Sequence, residues 1–180
     1  MKSPELADWH TALSRRRQFL ITAAGGMAAL FAPLSAAAAA APTDAPWPVL
    51  AAVQDHLFPS EPTAPGAREI RALTYLQGVL ADPKGDREEQ RFILQGVDWL
   101  QDLARQRYAA SFIDLDLLRR ERVLREVANT DQGENWIATL LLYICEALLG
   151  DPVHGGNPDG IGWAWLQHQP GYPRPTRRPT

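Results

Sequence analysis

Residues 134–149, ENWIATLLLYICEALL, decide the fold, because apolar residues occupy nearly every side of the helix that this stretch predicts. A helix that is apolar all round is either the centre of a helical bundle or a membrane span. A span needs about 20 apolar residues, whereas this stretch is shorter and contains Glu146. We therefore predict the central helix of a bundle, with Gly150 as its stop.

Upstream of this helix, apolar residues recur at helical spacing in four further stretches. Asp86 and Glu89 predict a capping box at the start of the longest one, and Asp114 is the expected N-cap of the next. No strand pattern accompanies them. The sequence predicts an all-α fold: a small helical bundle of about five helices within residues 42–150, with helices at 47–58, 67–81, 86–109, 114–128 and 134–149.

An irregular segment follows the bundle, beginning DPVHGGNPDGIGWAWLQHQPGYPRP at residues 151–175. Its density of glycine and proline excludes a helix or a central strand. A solvated linker would leave Trp163, Trp165 and Tyr172 in water, which costs about 25 cal/mol per Å² of apolar area. We predict that residues 151–180 pack on the bundle and on a partner chain.

The N-terminus resembles an export signal. Residues 14–20 read SRRRQFL, and a short apolar run at 21–32 and an alanine tract at 36–41 follow. This order is that of a twin-arginine signal peptide, which we assign to residues 1–41, with the export signal carried by Arg16, Arg17, Phe19 and Leu20. The alternative is a basic N-terminus ahead of an alanine-rich linker. The signal predicts a periplasmic location.

Charge and cysteine content exclude several functions. The formal net charge is −3, and loss of residues 1–41 makes it more negative, which argues against nucleic acid or an anionic membrane as a partner. Cys145 is the single cysteine, so an internal disulfide and a cluster held by cysteines of this chain are excluded. We expect Cys145 to be a small buried apolar residue.

The residues of the C-terminal segment predict turns rather than a cofactor site. Its glycines follow a helix, not the strand that a dinucleotide fingerprint requires, and Asn157 and Asp159 lack the closing acidic ligand of a calcium loop. We expect these two side chains to satisfy nearby backbone N–H groups. His154 and His168 are a weak metal signal. Twin-arginine export carries proteins that are already folded, often around a cofactor. Since this chain has such a signal but no recognisable cofactor site, we predict that it escorts a partner protein that holds the cofactor.

Three stretches resemble the gluconate 2-dehydrogenase subunit 3 family. They are SRRRQFL, LFPSEPTAPGA at 57–67 and ALLGDPVHGGNPDGIGWAWLQHQPGYPRP at 147–175. The last is similar to the family pattern D-P-x-x-G-G-N-x-D-G-x-G-W, although His154 stands where an aromatic residue is common and Ala164 where lysine often occurs. The matching positions are Asp151, Pro152, Gly155, Gly156, Asn157, Asp159, Gly160, Gly162 and Trp163.

The resemblance implies a non-catalytic small subunit of an exported, membrane-associated sugar or sugar-acid dehydrogenase. A large subunit of the glucose-methanol-choline type would hold FAD, and a cytochrome c subunit could carry haem, with no cofactor in this chain. The small subunit would bring the complex to the twin-arginine translocase, stabilise the flavoprotein, and meet the membrane only through its partners. The expected partner-binding residues are Gly155, Gly156, Asn157, Asp159, Gly160, Gly162, Trp163 and Trp165.

Two other functions are compatible with the sequence. One is an independent periplasmic sugar-binding module in which Trp163 and Trp165 form a stacking platform. The other is an enzyme that uses His154, His168 and Asp159 in a C-terminal pocket.

Overall fold

The computed structural model describes residues 45–176, which form six α-helices and, apart from an isolated bridge between Glu61 and Ala64, contain no β-structure. The all-α prediction is confirmed. Arg16, Arg17, Phe19 and Leu20, on which the predicted signal depends, lie outside the described residues. The helices are α1 (Pro46–Leu57), α2 (Ala72–Ala81), α3 (Arg87–Tyr108), α4 (Leu117–Ala128), α5 (Asp131–Leu149) and α6 (Ile161–Trp165), with 3₁₀ turns at Phe112–Asp114, Pro152–His154 and Pro158–Gly160.

Helix α5 is the centre of the bundle, as its composition predicts. It contacts α1, α2, α3, α4 and α6. Trp136, Leu140 and Ile144 are fully or almost fully buried on its inner side. The indole Nε1 of Trp136 also donates a hydrogen bond of 2.9 Å to the backbone oxygen of Ile93, which fixes α5 against α3. Within residues 45–176, no helix is both long enough and apolar enough to cross a lipid bilayer.

The expectation that Cys145 is buried is wrong. Cys145 is exposed, and so are its neighbours Leu142 and Leu149, at 54% and 52%. At 3.6 residues per turn, Cys145 lies about 140° around the helix from the buried Leu140. The bundle therefore covers one side of α5 and leaves the opposite side uncovered, so an apolar residue on that second side is not a core residue.

Two helices begin later than the sequence predicts. Helix α2 starts at Ala72, because Arg71 adopts a left-handed backbone with φ of 55°, and residues 67–71 form turns instead. Helix α4 is capped by Asp116, whose carboxylate accepts a hydrogen bond of 2.8 Å from the backbone N–H of Arg119. The predicted cap, Asp114, lies in the preceding 3₁₀ turn.

Helix α5 begins earlier than predicted, at Asp131, because Thr130 caps it by accepting a hydrogen bond of 3.0 Å from the backbone N–H of Gly133. The connection between the predicted helices 114–128 and 134–149 is correspondingly shorter. The Asp86 half of the predicted capping box is confirmed: the carboxylate of Asp86 accepts a hydrogen bond of 2.8 Å from the N–H of Glu88 and caps α3.

Candidate functional site

The C-terminal segment, residues 151–176, closes the carboxyl end of α5. The last carbonyls of a helix have no partner within the helix and need donors from elsewhere. Here the indole Nε1 of Trp163 donates a hydrogen bond of 2.7 Å to the oxygen of Leu149. The amide Nδ2 of Asn157 donates one of 3.0 Å to the oxygen of Gly150. Two side chains of the segment thus supply donors that α5 lacks.

Asn157 is the central hydrogen-bonding residue of the segment and is fully buried. Its Oδ1 accepts a hydrogen bond of 2.7 Å from the N–H of Gly162. Its own backbone N–H donates to the oxygen of Ile70 over 2.9 Å, which ties the segment to the turn before α2. The φ of Asn157 is 47°, in the left-handed region that asparagine tolerates better than most residues. The prediction that this side chain satisfies a nearby backbone N–H is confirmed.

Two glycines let the segment lie directly on the backbone of α5. A Cβ at Gly156 would collide with the backbone oxygen of Ala147, and a Cβ at Gly162 would collide with that of Leu148. Backbone atoms cannot move aside as the end of a flexible side chain can. These positions therefore require glycine for close packing.

Arg174 folds the end of the segment back onto its beginning. Its Nε donates a hydrogen bond of 2.5 Å to Oδ2 of Asp151, and its guanidinium lies 4.6 Å from the centroid of the Trp163 ring. The hydrogen bond from Arg174, followed by one from the N–H of Val153, lowers the pKa of Asp151. The contact combines an ion pair with a cation–π interaction, and it covers the tryptophan.

Most of the expected partner-binding residues make contacts within the chain. Gly156, Asn157, Gly160, Gly162 and Trp163 are buried, and Trp163 is only 8% exposed. Gly155 is half-buried and Asp159 is exposed. Trp165 is 40% exposed and lies edge-on to Phe58, with ring centroids 6.4 Å apart. Their contact with a partner stays a prediction, and Asp159 and Trp165 are the two that face solvent.

The residues of the two alternative functions also lie in this segment. His154, His168 and Asp159 are exposed, and the ring of His168 stands edge-on to Trp163 at 6.4 Å. Among residues 45–176, no group of three or more His, Cys, Asp or Glu side chains is placed to hold a metal ion. Since Arg174 covers Trp163, a sugar could reach the Trp165 ring more easily than the Trp163 ring.

Sequence reasoning missed two features. Arg174 was not expected to contact Asp151, because residues so far apart in an irregular segment show no periodicity. The exposed side of α5 does leave a signal: residues 138, 142, 145 and 149 form a second apolar stripe at helical spacing, beside the stripe that the core uses.

A comparison with family models matches residues 44–171 to the model described as gluconate 2-dehydrogenase subunit 3. The match spans the bundle and most of the C-terminal segment, and it confirms the resemblance drawn from the sequence motifs. No curated protein matches the chain, and no solved structure matches it.

Proposed function

The chain belongs to the gluconate 2-dehydrogenase subunit 3 family, and from this we propose that it is the non-catalytic small subunit of an exported, FAD-dependent sugar or sugar-acid dehydrogenase. The family match over residues 44–171 is the observation that carries the proposal, because the family is that of an accessory subunit. In this proposal a large subunit of the glucose-methanol-choline type holds FAD and oxidises the substrate. A cytochrome c subunit, where the complex has one, passes the electrons on.

We propose further that the chain supplies the export signal of the complex. The motif SRRRQFL at residues 14–20 supports this, since a twin-arginine signal directs folded proteins across the membrane. The large subunit would fold around FAD, bind this chain and cross with it. The complex would then reside in the periplasm and meet the membrane through its other subunits.

The second part of the proposed role is to stabilise the flavoprotein. A partner that binds only the folded state stabilises it by about 2.7 kcal/mol when its concentration is 100 times the dissociation constant. Such a partner loses least affinity when its own surface is ordered before binding. The hydrogen bonds of Asn157 and Trp163 to Gly150, Ile70 and Leu149 support this role, because they order the C-terminal segment within the chain itself.

The export proposal is tested by co-expressing the chain with the large subunit and replacing both Arg16 and Arg17 with lysine. We expect the periplasmic amount of FAD-loaded large subunit, measured by immunoblot and flavin absorbance, to fall at least about tenfold, because translocation reads the arginine pair as an address. Arg15→Lys is the matched control and should leave export unchanged. Full export of the large subunit with the lysine pair would refute the escort role.

A further inference from the structure

Helix α5 has an exposed apolar side, which we call the outer face. It consists of Ala138, Leu141, Leu142, Cys145 and Leu149, all of which are exposed. At 3.6 residues per turn these positions fall within an arc of about 100°, and at 1.5 Å per residue they extend over about 16 Å of the helix. The outer face is thus a continuous apolar strip on the side opposite to the core.

The other long helices do not show such a strip, and helices α3 and α4 carry arginine, aspartate and glutamate over most of their exposed sides, as helices in contact with water do. Leu117 and Leu118 at the start of α4 are 71% and 70% exposed, but the residues one turn further on are Glu121 and Arg122, so this apolar surface does not extend along the helix. Between residues 135 and 149, in contrast, Glu146 is the one charged residue, and it accepts a hydrogen bond of 3.0 Å from the hydroxyl of Tyr75 at the edge of the strip. A contiguous exposed apolar surface of this kind marks an interaction site.

Charge distinguishes between the possible occupants of the outer face. Asp131 and Glu134 are exposed at the amino end of the same side of α5. A second copy packed parallel would place these carboxylates against their own equivalents. An antiparallel copy would place them near the ion pair of Asp151 and Arg174, which has no net positive charge to offer them. Like charges that face each other at an interface are unfavourable, so the surface fits a partner that offers basic residues there.

The outer face is smaller than a complete stable interface. A stable interface buries about 800 Å² on each partner and involves about 20–30 residues a side. Five side chains on one helix are the centre of such an interface rather than the whole of it. The large subunit, as the partner in the proposed function, must therefore also contact residues outside this helix.

We propose that the FAD-containing large subunit of the dehydrogenase docks on the outer face of α5, through an apolar groove whose lysine or arginine side chains meet Asp131 and Glu134. The inference rests on the proposed function and adds the surface through which it acts. In this arrangement the C-terminal segment fixes the end of α5, and the outer face makes the contact.

Cys145 lies within the outer face and, as the sole cysteine of the chain, reports its exposure directly. The full chain alone should react readily with N-ethylmaleimide. The reaction is followed by mass spectrometry, as the increase in the mass of this chain. In the complex purified after co-expression with the large subunit, we expect the reaction to slow at least about tenfold, because buried interface cores exclude solvent. The control is Gln95→Cys in a Cys145→Ser background, at an exposed position of α3 on the side away from its buried residues; its reaction rate should not change.

A substitution tests the energetic role of the same surface. Leu142→Asp places a carboxylate in the outer face, and we expect it to raise the dissociation constant for the large subunit at least about thirtyfold, as loss of a central contact does. Leu142 is exposed, so the circular dichroism and urea midpoint of the isolated chain should stay close to those of the original chain. Leu94→Asp, at a 39% exposed leucine on α3, is the matched control and should bind normally.

The results separate this inference from the proposed function. If the complex forms but Cys145 reacts as fast as in the free chain, or Leu142→Asp binds normally, the docking surface is wrong and the proposed function stands. If the original chain forms no complex with the large subunit, both fail. If the isolated chain is a dimer by light scattering and forms a Cys145–Cys145 disulfide on oxidation, a second copy occupies the face and the inference is overturned.

Discussion

Asn157 offers the sharpest test of how the C-terminal segment is held. Its side chain donates to the oxygen of Gly150 and accepts from the N–H of Gly162, and its backbone is left-handed with φ of 47°. Two substitutions separate these contributions. Asn157→Gly removes both side-chain hydrogen bonds but adopts the same φ without strain, whereas Asn157→Ala removes the bonds and adds strain.

The expected cost follows from burial. Each lost hydrogen bond costs about 1 kcal/mol, and a buried N–H left without an acceptor costs about 1–3 kcal/mol. Asn157→Gly should therefore lower the free energy of unfolding by about 2–4 kcal/mol. Asn157→Ala should lower it by roughly 1 kcal/mol more, because a left-handed alanine is strained by about that amount. Domains are stable by about 5–15 kcal/mol in total, so both variants should still fold.

Urea unfolding of the purified full chain, followed by circular dichroism at 222 nm, measures these differences. With a slope of about 1–3 kcal/mol per molar urea, the midpoint of Asn157→Gly should fall by roughly 1–2 M with the slope unchanged. A loss below about 1 kcal/mol for Asn157→Gly would show that the two hydrogen bonds do not hold the segment. An alanine variant as stable as the glycine variant would show that the left-handed backbone is not imposed at this position.

Three further predictions concern other contacts. Trp163→Ala should cost about 3–5 kcal/mol in the same urea assay and Trp163→Phe about 1–2 kcal/mol, because phenylalanine keeps a ring but loses the donor. A Trp163→Phe variant as stable as the original chain would contradict the role of Nε1. Because Arg174 lowers the pKa of Asp151, their pairing should stabilise the chain above the unfolded pKa of about 4, and this stabilisation should be lost as pH falls through the lower folded pKa. The urea midpoint of Arg174→Ala should therefore fall less than that of the original chain between pH 7 and pH 2. Burial, followed by the hydrogen bond to Glu146, raises the pKa of Tyr75 to about 12. The stability of the chain should therefore fall as pH rises from about 10 towards 12. In an absorbance titration at 295 nm, Tyr75→Phe should remove the ionisation step near pH 12.

Helix caps show where local sequence rules succeed and where tertiary contacts override them. Asp86 caps α3 as predicted, since no other residue competes for that role. Asp114 and Asp116 are both suitable caps for α4, and a distant contact decides between them. Phe112 is fully buried, and its N–H donates a hydrogen bond of 2.8 Å to Oε1 of Gln101 on α3. This draws residues 112–114 into a 3₁₀ turn and moves the start of α4 to Leu117.

The C-terminal segment was predictable in kind but not in detail. Its aromatic residues indicated that it packs, and Asn157 was expected to make a turn. The acceptor of its backbone N–H, the oxygen of Ile70, could not be predicted, because that contact joins distant parts of the chain and depends on how α2 lies beside α5. Arg174 was likewise visible only as a basic residue near the end, since an ion pair across an irregular segment leaves no pattern in sequence.

The apolar composition of helix α5 is compatible with more than one kind of covering surface. An apolar surface all round a helix indicates burial on all sides, but it does not say which molecule covers each side. In the residues described, the bundle covers the side of Trp136 and Leu140, and the C-terminal segment covers the end at Leu149. Asn157 and Trp163 of the family motif thus point inward and hold the helix in place, while Leu142 and Cys145 face outward. Changes in the motif should therefore affect a partner through the stability of this chain, and changes in the outer face should affect it through contact alone.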